Sequence, residues 1–165
     1  MTHRQQLDPI DLRIVSELQK DGRLPHNELA NRVGISHPNC LRRVRALRSR
    51  RIIRTIRATI DERSLGYEVA SFVAIQLASQ NQAALAAFED AIEALPLVQQ
   101  CWRISGDADF LLKCVATSVE GMSRQLRQFA AMPDVRTIRS FPVLGASKDT
   151  PLPMAAEPAP ASPAK

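Results

Sequence analysis

The sequence predicts an α+β protein in two parts, a basic helical half followed by a half that alternates strands with helices. The first observation is charge: residues 1–60 contain 13 Lys and Arg against 5 Asp and Glu, whereas residues 61–165 contain 9 against 12. The second observation is a repeat. In the later half, two sets of apolar residues with helical spacing lie 34 residues apart. A change of charge and pattern of this kind indicates two structural parts that meet near residue 60.

The composition excludes several classes of protein. The chain has 165 residues, of which 45% are apolar, enough for a buried core. It has no apolar run of membrane-spanning length and no signal-peptide pattern at its N-terminus, so we expect a cytoplasmic protein with no membrane partner. Cys40, Cys101 and Cys114 lack the spacing of a metal site or of a disulfide framework. We therefore expect buried thiols and no metal.

Two helices are predicted at the start of the basic half. Asp8 followed by Pro9 is a typical helix start, because an acidic cap precedes a proline at the first helical position. Apolar residues then recur at helical spacing until Gly22. Pro25 opens the second helix, and Gly34 ends it at a position suited to a positive φ.

A third helix carries much of the basic charge. Ser36 caps it, and Leu41, Val44 and Leu47 face inward, which leaves arginines on the outer surface. Residues 29–60 contain nine arginines and no acidic residue. Two short helices joined by a glycine-containing turn, the second basic outside and apolar inside, are typical of a helix-turn-helix.

The outer surface of this helix predicts a contact with a polyanion, most specifically DNA. An Arg side chain can bind phosphate or pair with guanine, and an Asn side chain can pair with adenine. The alternative is a basic helix face that is only solvated. For His37, a phosphate contact and a purely structural position at the start of the helix are equally compatible with the sequence. The predicted DNA-contacting residues are Ser36, His37, Asn39, Arg42, Arg43, Arg45, Arg50 and Arg54.

Residues 52–60 alternate apolar and polar side chains, which is typical of a strand. The arginines of this segment are then exposed, beside the phosphate backbone of a bound duplex. We interpret the segment as the wing of a winged helix-turn-helix.

The later half predicts a ferredoxin-like βαββαβ domain. Strands are predicted at 69–77, 98–104, 109–116 and 135–144, and helices at 82–95 and 118–131. The inward stripes of the two helices are Leu85, Phe88, Ile92 and Leu95, and Val119, Met122, Leu126 and Phe129. Two matched βαβ halves form an antiparallel sheet with both helices on one face.

The other face of this sheet lacks a cover. Val73, Ile75 and Leu77 alternate with Phe72 and Ala74 along the first strand, so apolar side chains lie on both faces. A second apolar face predicts that another subunit buries it.

The loop between the second and third strands contains Ser105, Gly106, Asp107 and Asp109. One interpretation is a hairpin turn with solvated aspartates. The other is a small-ligand site, because glycine lets a ligand approach the backbone and a carboxylate can anchor an ammonium group.

Four stretches in this order resemble one family: "LDPIDLRIVSELQKDGR", "ELANRVGIS" leading to "CLRRVRAL", the "LG" at residues 65–66, and "ISGDADFLLKC". Over residues 7 to about 148 the chain resembles the leucine-responsive regulator/AsnC-type (feast/famine) transcription regulators. The resemblance implies a winged helix-turn-helix at 1–60, a linker at 61–68 and a ferredoxin-like (RAM-type) effector-binding and oligomerisation domain at 69–148.

The same resemblance implies partners and a location. It implies a regulator that binds double-stranded DNA at the nucleoid and forms a homodimer that assembles into a tetramer or octamer. It also implies that a small amino acid or related metabolite, bound at Ser105, Gly106, Asp107 and Asp109, modulates assembly or DNA binding. No other cofactor is expected.

The chain departs from the family pattern at two places. Where the family usually has glycine after the third helix, this chain has Arg51, and a left-handed arginine there costs about 1 kcal/mol. The tail at 149–165 is rich in proline and alanine, so we expect it to be disordered.

Two further functions compete with an effector-modulated regulator. One is an architectural protein that bends DNA without any effector. The other is an enzyme, because certain haem-biosynthesis decarboxylases resemble this two-domain family. We predict no catalytic residue, since the sequence shows no nucleophile–base pairing and all three histidines lie in the basic half.

Overall fold

The computed structural model describes residues 7–154, which form two compact units. Among these residues, the first unit contains 7–59 and 148–154, and the second contains Ile60–Ser147. The chain therefore leaves the first unit, builds the second and returns to the first. Within residues 7–154, no helix is long and apolar enough to cross a membrane.

Three helices form the first unit and confirm the predicted helix-turn-helix: α1 (Pro9–Lys20), α2 (His26–Val33) and α3 (His37–Ser49). Asp8 caps α1, accepting the N–H of Asp11 at 2.8 Å. The buried apolar side chains of this unit are Ile14, Leu24, Leu29, Ala30, Val33, Cys40, Val44 and Leu47.

The inward face of α3 differs from the prediction by one residue. Cys40, Val44 and Leu47 are fully buried, whereas Leu41 is only half-buried. Positions 40, 44 and 47 follow the i, i+4, i+7 spacing of one helix face, so Cys40 replaces Leu41 in the core stripe.

The ends of α2 and α3 have the same backbone geometry. At the end of α2, Gly34 has a φ of 75°, and Ile35 donates its N–H to the carbonyl of Ala30 at 3.0 Å. This hydrogen bond, together with that of the Gly34 N–H to Asn31, forms a Schellman motif.

Arg51 occupies the corresponding place after α3. Its φ is 56°, so this arginine has the left-handed conformation that glycine usually serves at a helix end. The N–H of Arg51 donates to Arg48 at 2.9 Å and that of Ile52 donates to Leu47 at 2.9 Å, the same pair of bonds as after α2.

The strand predicted over residues 52–60 is not formed. The backbone of 54–60 belongs to no strand, and the four-stranded sheet of the described chain contains no strand from this segment. Alternation satisfies the side-chain pattern of a strand, but a strand also needs a partner for its backbone. Ile56 instead packs over Gly22, where an added Cβ would lie 2.7 Å from the Ile56 Cγ2.

The second unit has the predicted βαββαβ order. It comprises β1 (Val69–Leu77), α4 (Gln82–Glu93), β2 (Val98–Arg103), β3 (Phe110–Ala116), α5 (Val119–Ala130) and β4 (Val135–Pro142). The strand order is β2-β3-β1-β4 and every neighbouring pair is antiparallel, as in a ferredoxin-like fold. A short 3₁₀ turn at Arg63–Leu65 precedes β1.

Helices α4 and α5 cover one face of the sheet. The buried core between them contains Val73, Ile75, Leu77, Phe88, Ile92, Phe110, Leu112, Cys114, Ala116, Met122 and Phe129. One predicted member of the stripes is wrong: Val119 is 74% exposed, because it begins α5, and Gln125 is buried with that helix instead. The expected burial of Cys101 is also wrong, since this thiol is exposed near the edge of the sheet.

The opposite face of the sheet carries an aromatic cluster. Register places Phe72 opposite Phe141 on β4, and the rings of Phe72 and Trp102 lie 6.4 Å apart. Trp102 is 40% exposed and Phe141 is 52% exposed. Both apolar faces of the predicted sheet are therefore present, and the second has no helix over it in the described chain.

Candidate nucleic-acid interface and effector loop

The outer face of α3 presents three arginines to solvent. Arg42, Arg45 and Arg48 lie on the side away from the buried stripe, and Arg50 is half-buried at the end of the helix. Arg42 donates from Nη2 to the Oδ1 of Asn39 at 2.9 Å. This exposed bond joins an amide and a guanidinium, two groups that are able to pair with base edges.

The first turn of α3 is polar and carries no acidic residue. Ser36 is the N-cap, but its hydroxyl makes no capping hydrogen bond, and both Ser36 and His37 are exposed. The N-terminus of a helix carries a partial positive charge and free N–H groups. This turn therefore has the chemistry of a phosphate contact.

Arg43 does not belong to the exposed face, although the sequence predicted it there. Its Nη1 lies 2.6 Å from the Oδ2 of Asp8 and 2.7 Å from the Oδ1 of Asp11, and only 19% of its side chain is exposed. These ion pairs join α3 to the start of α1. The positive charge of Arg43 is thus neutralised within the three-helix unit.

The ion pair between Arg43 and Asp8 shifts the pKa values of these two groups. The N–H of Asp11 and, after it, the Arg43 guanidinium hold the pKa of Asp8 below its ordinary value. The hydrogen bonds to Asp11 and then Asp8 raise the pKa of Arg43. Each partner therefore stabilises the charged form of the other.

Arg51, Arg54 and Arg57 extend the basic surface beyond α3. All three are exposed, and Arg51 projects from the left-handed turn that ends the helix. The basic surface around α3 also includes five of the predicted contact residues, all exposed or half-exposed: Ser36, His37, Asn39, Arg42 and Arg45.

The predicted effector loop is a hairpin connection between β2 and β3. The N–H of Ile104 donates to the carbonyl of Asp109 at 2.8 Å and closes it. Ser105, Gly106 and Asp107 are exposed at its tip. Gly106 has a φ of 125°, a conformation that side chains rarely adopt, and nothing lies within 4 Å of where a Cβ would be.

Asp109 has a different role from the tip residues. It is buried, and its Oδ2 accepts the N–H of Leu77 at 2.8 Å while its Oδ1 accepts the side-chain amide of Gln80 at 2.8 Å. The ladder of β1 shifts register between Gln76 and Leu77, so the carboxylate satisfies an N–H at the irregularity. Of the two loop aspartates, Asp107 remains the one facing solvent.

Three contacts were not foreseen from the sequence. Arg139 on β4 reaches the carbonyl of Asp107 at 3.5 Å, and Gln80 reaches Asp109. Gln19 on α1 bonds the backbone of Leu152. Each joins residues far apart in the chain, and only the sheet order or the return of the chain reveals it.

The thiols and carboxylates show no metal chemistry within the described ranges. No group of three His, Cys, Asp or Glu residues there can hold a metal ion. Burial, with a smaller effect of Cys101, raises the pKa of the Cys114 thiol to about 12. This thiol is therefore protonated and unreactive at neutral pH.

Comparison with known protein families gives two matches. Residues 7–48 match the AsnC-type helix-turn-helix domain, and residues 70–153 match the Lrp/AsnC ligand binding domain.

Individual relatives cover nearly the whole chain. A leucine-responsive regulatory protein of Rhizobium meliloti is 41% identical over 150 residues, which are 90% of this chain and 96% of the relative. The Bkd operon transcriptional regulator of Pseudomonas aeruginosa is 37% identical over 136 residues, 82% and 89% of the two chains.

Among solved structures, a transcriptional regulator of Neisseria meningitidis in complex with L-Met has a TM-score of 0.82 at 29% identity. The match covers 90% of this chain and 97% of that one. An AsnC family regulator from Agrobacterium tumefaciens has a TM-score of 0.81 at 30% identity, covering 89% and 97%.

Proposed function

Because the chain belongs to the Lrp/AsnC family of transcriptional regulators, we propose that it reads double-stranded DNA with α3 and responds to an amino acid at the 105–109 loop. The observation that carries the DNA assignment is the exposed arginine face of α3, in a segment without acidic residues. Such a regulator acts at the nucleoid in the cytoplasm.

Base reading is assigned to Asn39, Arg42 and Arg45. Arg42 and Arg45 lie on the outer side of α3, and the hydrogen bond that Arg42 donates to Asn39 limits the conformations of both side chains. A guanidinium can pair with guanine and an amide with adenine in the major groove. Pre-orientation lowers the entropy cost of forming these contacts.

Backbone positioning is assigned to the first turn of α3 and to the arginines around its end. Ser36 and His37 lie beside the free N–H groups of the helix N-terminus, while Arg50 and Arg54 lie at or beyond its C-terminus. Phosphate contacts at both ends fix the register of a helix in the groove without specifying sequence. Arg43 is excluded from this set and assigned to the helix interface.

The test compares two double variants with equal charge change. Arg42→Ala with Arg45→Ala should weaken binding to the operator by at least about tenfold, because each base contact is worth about 1–3 kcal/mol. Arg127→Ala with Arg136→Ala removes two arginines from the second unit and should leave operator affinity nearly unchanged. Gel shift and anisotropy measure both. Equal weakening in the two double variants would contradict the assignment of α3.

The effector is assigned to the exposed tip of the loop. The backbone at Ser105 and Gly106 is accessible to a ligand carboxylate, and the Asp107 carboxylate can meet an ammonium group. Asp109 is assigned to holding the loop, since its oxygens already accept two hydrogen bonds. The L-Met complex of the Neisseria regulator supports an amino acid as the ligand class.

Calorimetry with a panel of amino acids tests this site. Asp107→Asn should weaken binding by at least about tenfold, because it removes a charge-assisted bond worth about 1.5–3 kcal/mol. Asp90→Asn, an exposed aspartate on α4, is the control and should bind normally. Gly106→Trp is less informative, because the φ of 125° strains any side chain there. If no amino acid binds the parent at millimolar concentration, the effector assignment is wrong.

A homodimer is assigned to the helix-free face of the sheet. Phe72, Trp102 and Phe141 form a partly exposed apolar cluster that a second sheet can bury. Phe141→Glu should therefore dissociate the dimer in sedimentation experiments. Val119→Glu makes the same change at an exposed position on α5 and should leave the assembly intact. Assembly of dimers into a tetramer or octamer stays a prediction.

A further inference from the structure

An apolar groove lies in the first unit, away from the outer face of α3. Its walls are α1, with Leu12, Val15 and Leu18, and the segment after α3, with Ile52 and Ile56. The cavity has a volume of about 600 Å³. Residues 152–154 form a further wall of the same cavity.

The chain's own C-terminal segment lies along the edge of this groove, beside α1. Leu152 donates its N–H to the Oε1 of Gln19 at 3.1 Å, and the Nε2 of Gln19 donates to the carbonyl of Leu152 at 3.1 Å. The same Nε2 lies 4.0 Å from the Sδ of Met154. The Gln19 amide thus binds an extended backbone as a neighbouring strand does, through one donor and one acceptor.

The sequence of the segment suits this contact. Pro151 and Pro153 have no N–H group, so Leu152 supplies the only backbone donor of the tripeptide, and Gln19 accepts it. Proline also restricts the chain to extended conformations before it docks, which lowers the entropy cost of docking. Disorder of the tail at 149–165 stays a prediction; residues 155–165 lie outside the described residues.

The groove also involves the basic arm, which we define as residues 52–57. The arm has no strand partner in the described chain, yet Ile52, Ile53, Arg54 and Ile56 all line the groove. The N–H groups of Ile52 and Ile53 donate to Leu47, and beyond them packing along the groove is what positions the arm. Arg54 and Arg57 are the exposed charges that this packing positions.

We propose that residues 151–154 dock in cis on the groove as a releasable strap that fixes the basic arm for DNA binding. Leu152 remains 77% exposed, so the contact is weak and opens readily. Covalent attachment maintains it, because a tethered segment has an effective concentration on the order of millimolar. The part that concerns DNA rests on the proposed function, whereas the docking itself does not.

Amide hydrogen exchange of the full chain tests the docking by NMR. We expect the Leu152 amide to exchange at least about fivefold more slowly than in an unstructured peptide. Gln19→Ala should restore the unstructured rate and accelerate exchange at 53–57. Lys20→Ala changes the next, exposed position on α1 and should leave both rates unaltered. Leu152→Pro removes the donor without altering α1 and should also accelerate exchange at 53–57.

Three results would overturn the proposal. The first is unprotected exchange of Leu152 in the parent protein, and the second is unchanged protection in Gln19→Ala. The third is protection that falls on dilution, because that result assigns the segment to a second copy of the chain.

DNA binding provides the separate functional readout. Gln19→Ala should weaken operator affinity about threefold to tenfold, because a loosened arm no longer presents Arg54 and Arg57 to the phosphates. Unchanged affinity despite a loosened arm would refute the coupling while leaving the assignment of α3 untouched.

Discussion

Arg51 has a left-handed backbone conformation that suits glycine, and its charged side chain lies on the surface that we propose contacts DNA. Replacing it with glycine changes both properties at once. The same Schellman motif ends α2, where the left-handed residue is Gly34. The end of α2 therefore shows the unstrained form of the motif, with which the end of α3 can be compared. Arg51→Gly should therefore stabilise the fold and weaken DNA binding.

The magnitude follows from the backbone. A left-handed residue with a side chain costs about 1 kcal/mol relative to glycine, and the greater freedom of glycine in the unfolded chain offsets part of that gain. We expect Arg51→Gly to raise the free energy of unfolding by about 0.5–1 kcal/mol. Gly34→Ala should lower it by about 1 kcal/mol through backbone strain alone, since no atom within 4 Å would clash with the new Cβ.

Chemical denaturation of all variants at one fixed protein concentration measures these differences, and Arg51→Ala separates strain from charge. Arg51→Ala keeps a side chain in the left-handed conformation and removes only the charge, so its stability should stay near that of the parent. Both Arg51 variants should bind DNA more weakly, with a log affinity–log salt slope smaller in magnitude by about 0.9 for each phosphate that Arg51 neutralises. If Arg51→Gly is no more stable than Arg51→Ala, the left-handed turn stores no strain and the reasoning is wrong.

Further predictions concern the ion pairs of Arg43, the hydrogen bonds of Asp109 and the salt dependence of DNA binding. Arg43→Ala should lower stability by about 1–3 kcal/mol at pH 7, because it leaves the carboxylate of Asp11 without its partner, and thermal unfolding checks this. The depressed pKa of Asp8 means that its contribution is present above the unfolded pKa, near 3.8, and disappears as pH falls through the lower folded pKa. Arg43→Ala should make that acid limb of the stability curve shallower, while the larger part due to the Asp11 N–H remains. Asp109→Asn should lower the free energy of unfolding by about 1–3 kcal/mol, because the new NH2 group then faces one of the two N–H donors that the carboxylate accepts. An equally stable variant would contradict the role of Asp109 at Leu77. Operator binding should show a log–log salt slope of about −5 or steeper for a dimer that contacts at least about six phosphates, and a slope flatter than about −2 would exclude two α3 surfaces.

The elements were predictable because their signals are local. Asp8 with Pro9, Gly34 and the matched apolar stripes each depend on a few neighbouring residues, and α1–α5 and β1–β4 lie within a few residues of the predicted bounds. The sequence also identified residue 51 as the place where the family pattern needs a left-handed residue, since the end of a helix is a local geometry.

The roles of single polar residues were less predictable because they depend on distant partners. Arg43 looks like the other arginines of α3 until Asp8 and Asp11 of α1 come within 2.7 Å of it. Asp109 looks like a solvated turn residue until β1 presents Leu77 beside it. Alternation over 52–60 predicted a strand, but no local signal states whether a partner strand exists.

The return of the chain to its first unit affects how such a protein can be divided or recombined. Residues 148–154 pack with residues 7–59, so the first unit contains two separate segments of the chain. A gene fusion cut near residue 60 would transfer α1, α2 and α3 but leave behind the peptide that Gln19 binds. Grafts of this DNA-binding half onto another protein should therefore carry residues 148–154 as a second piece. Replacing residues 60–147 with another domain, so that both segments of the first unit are kept, should be tolerated better than a single fusion near residue 60.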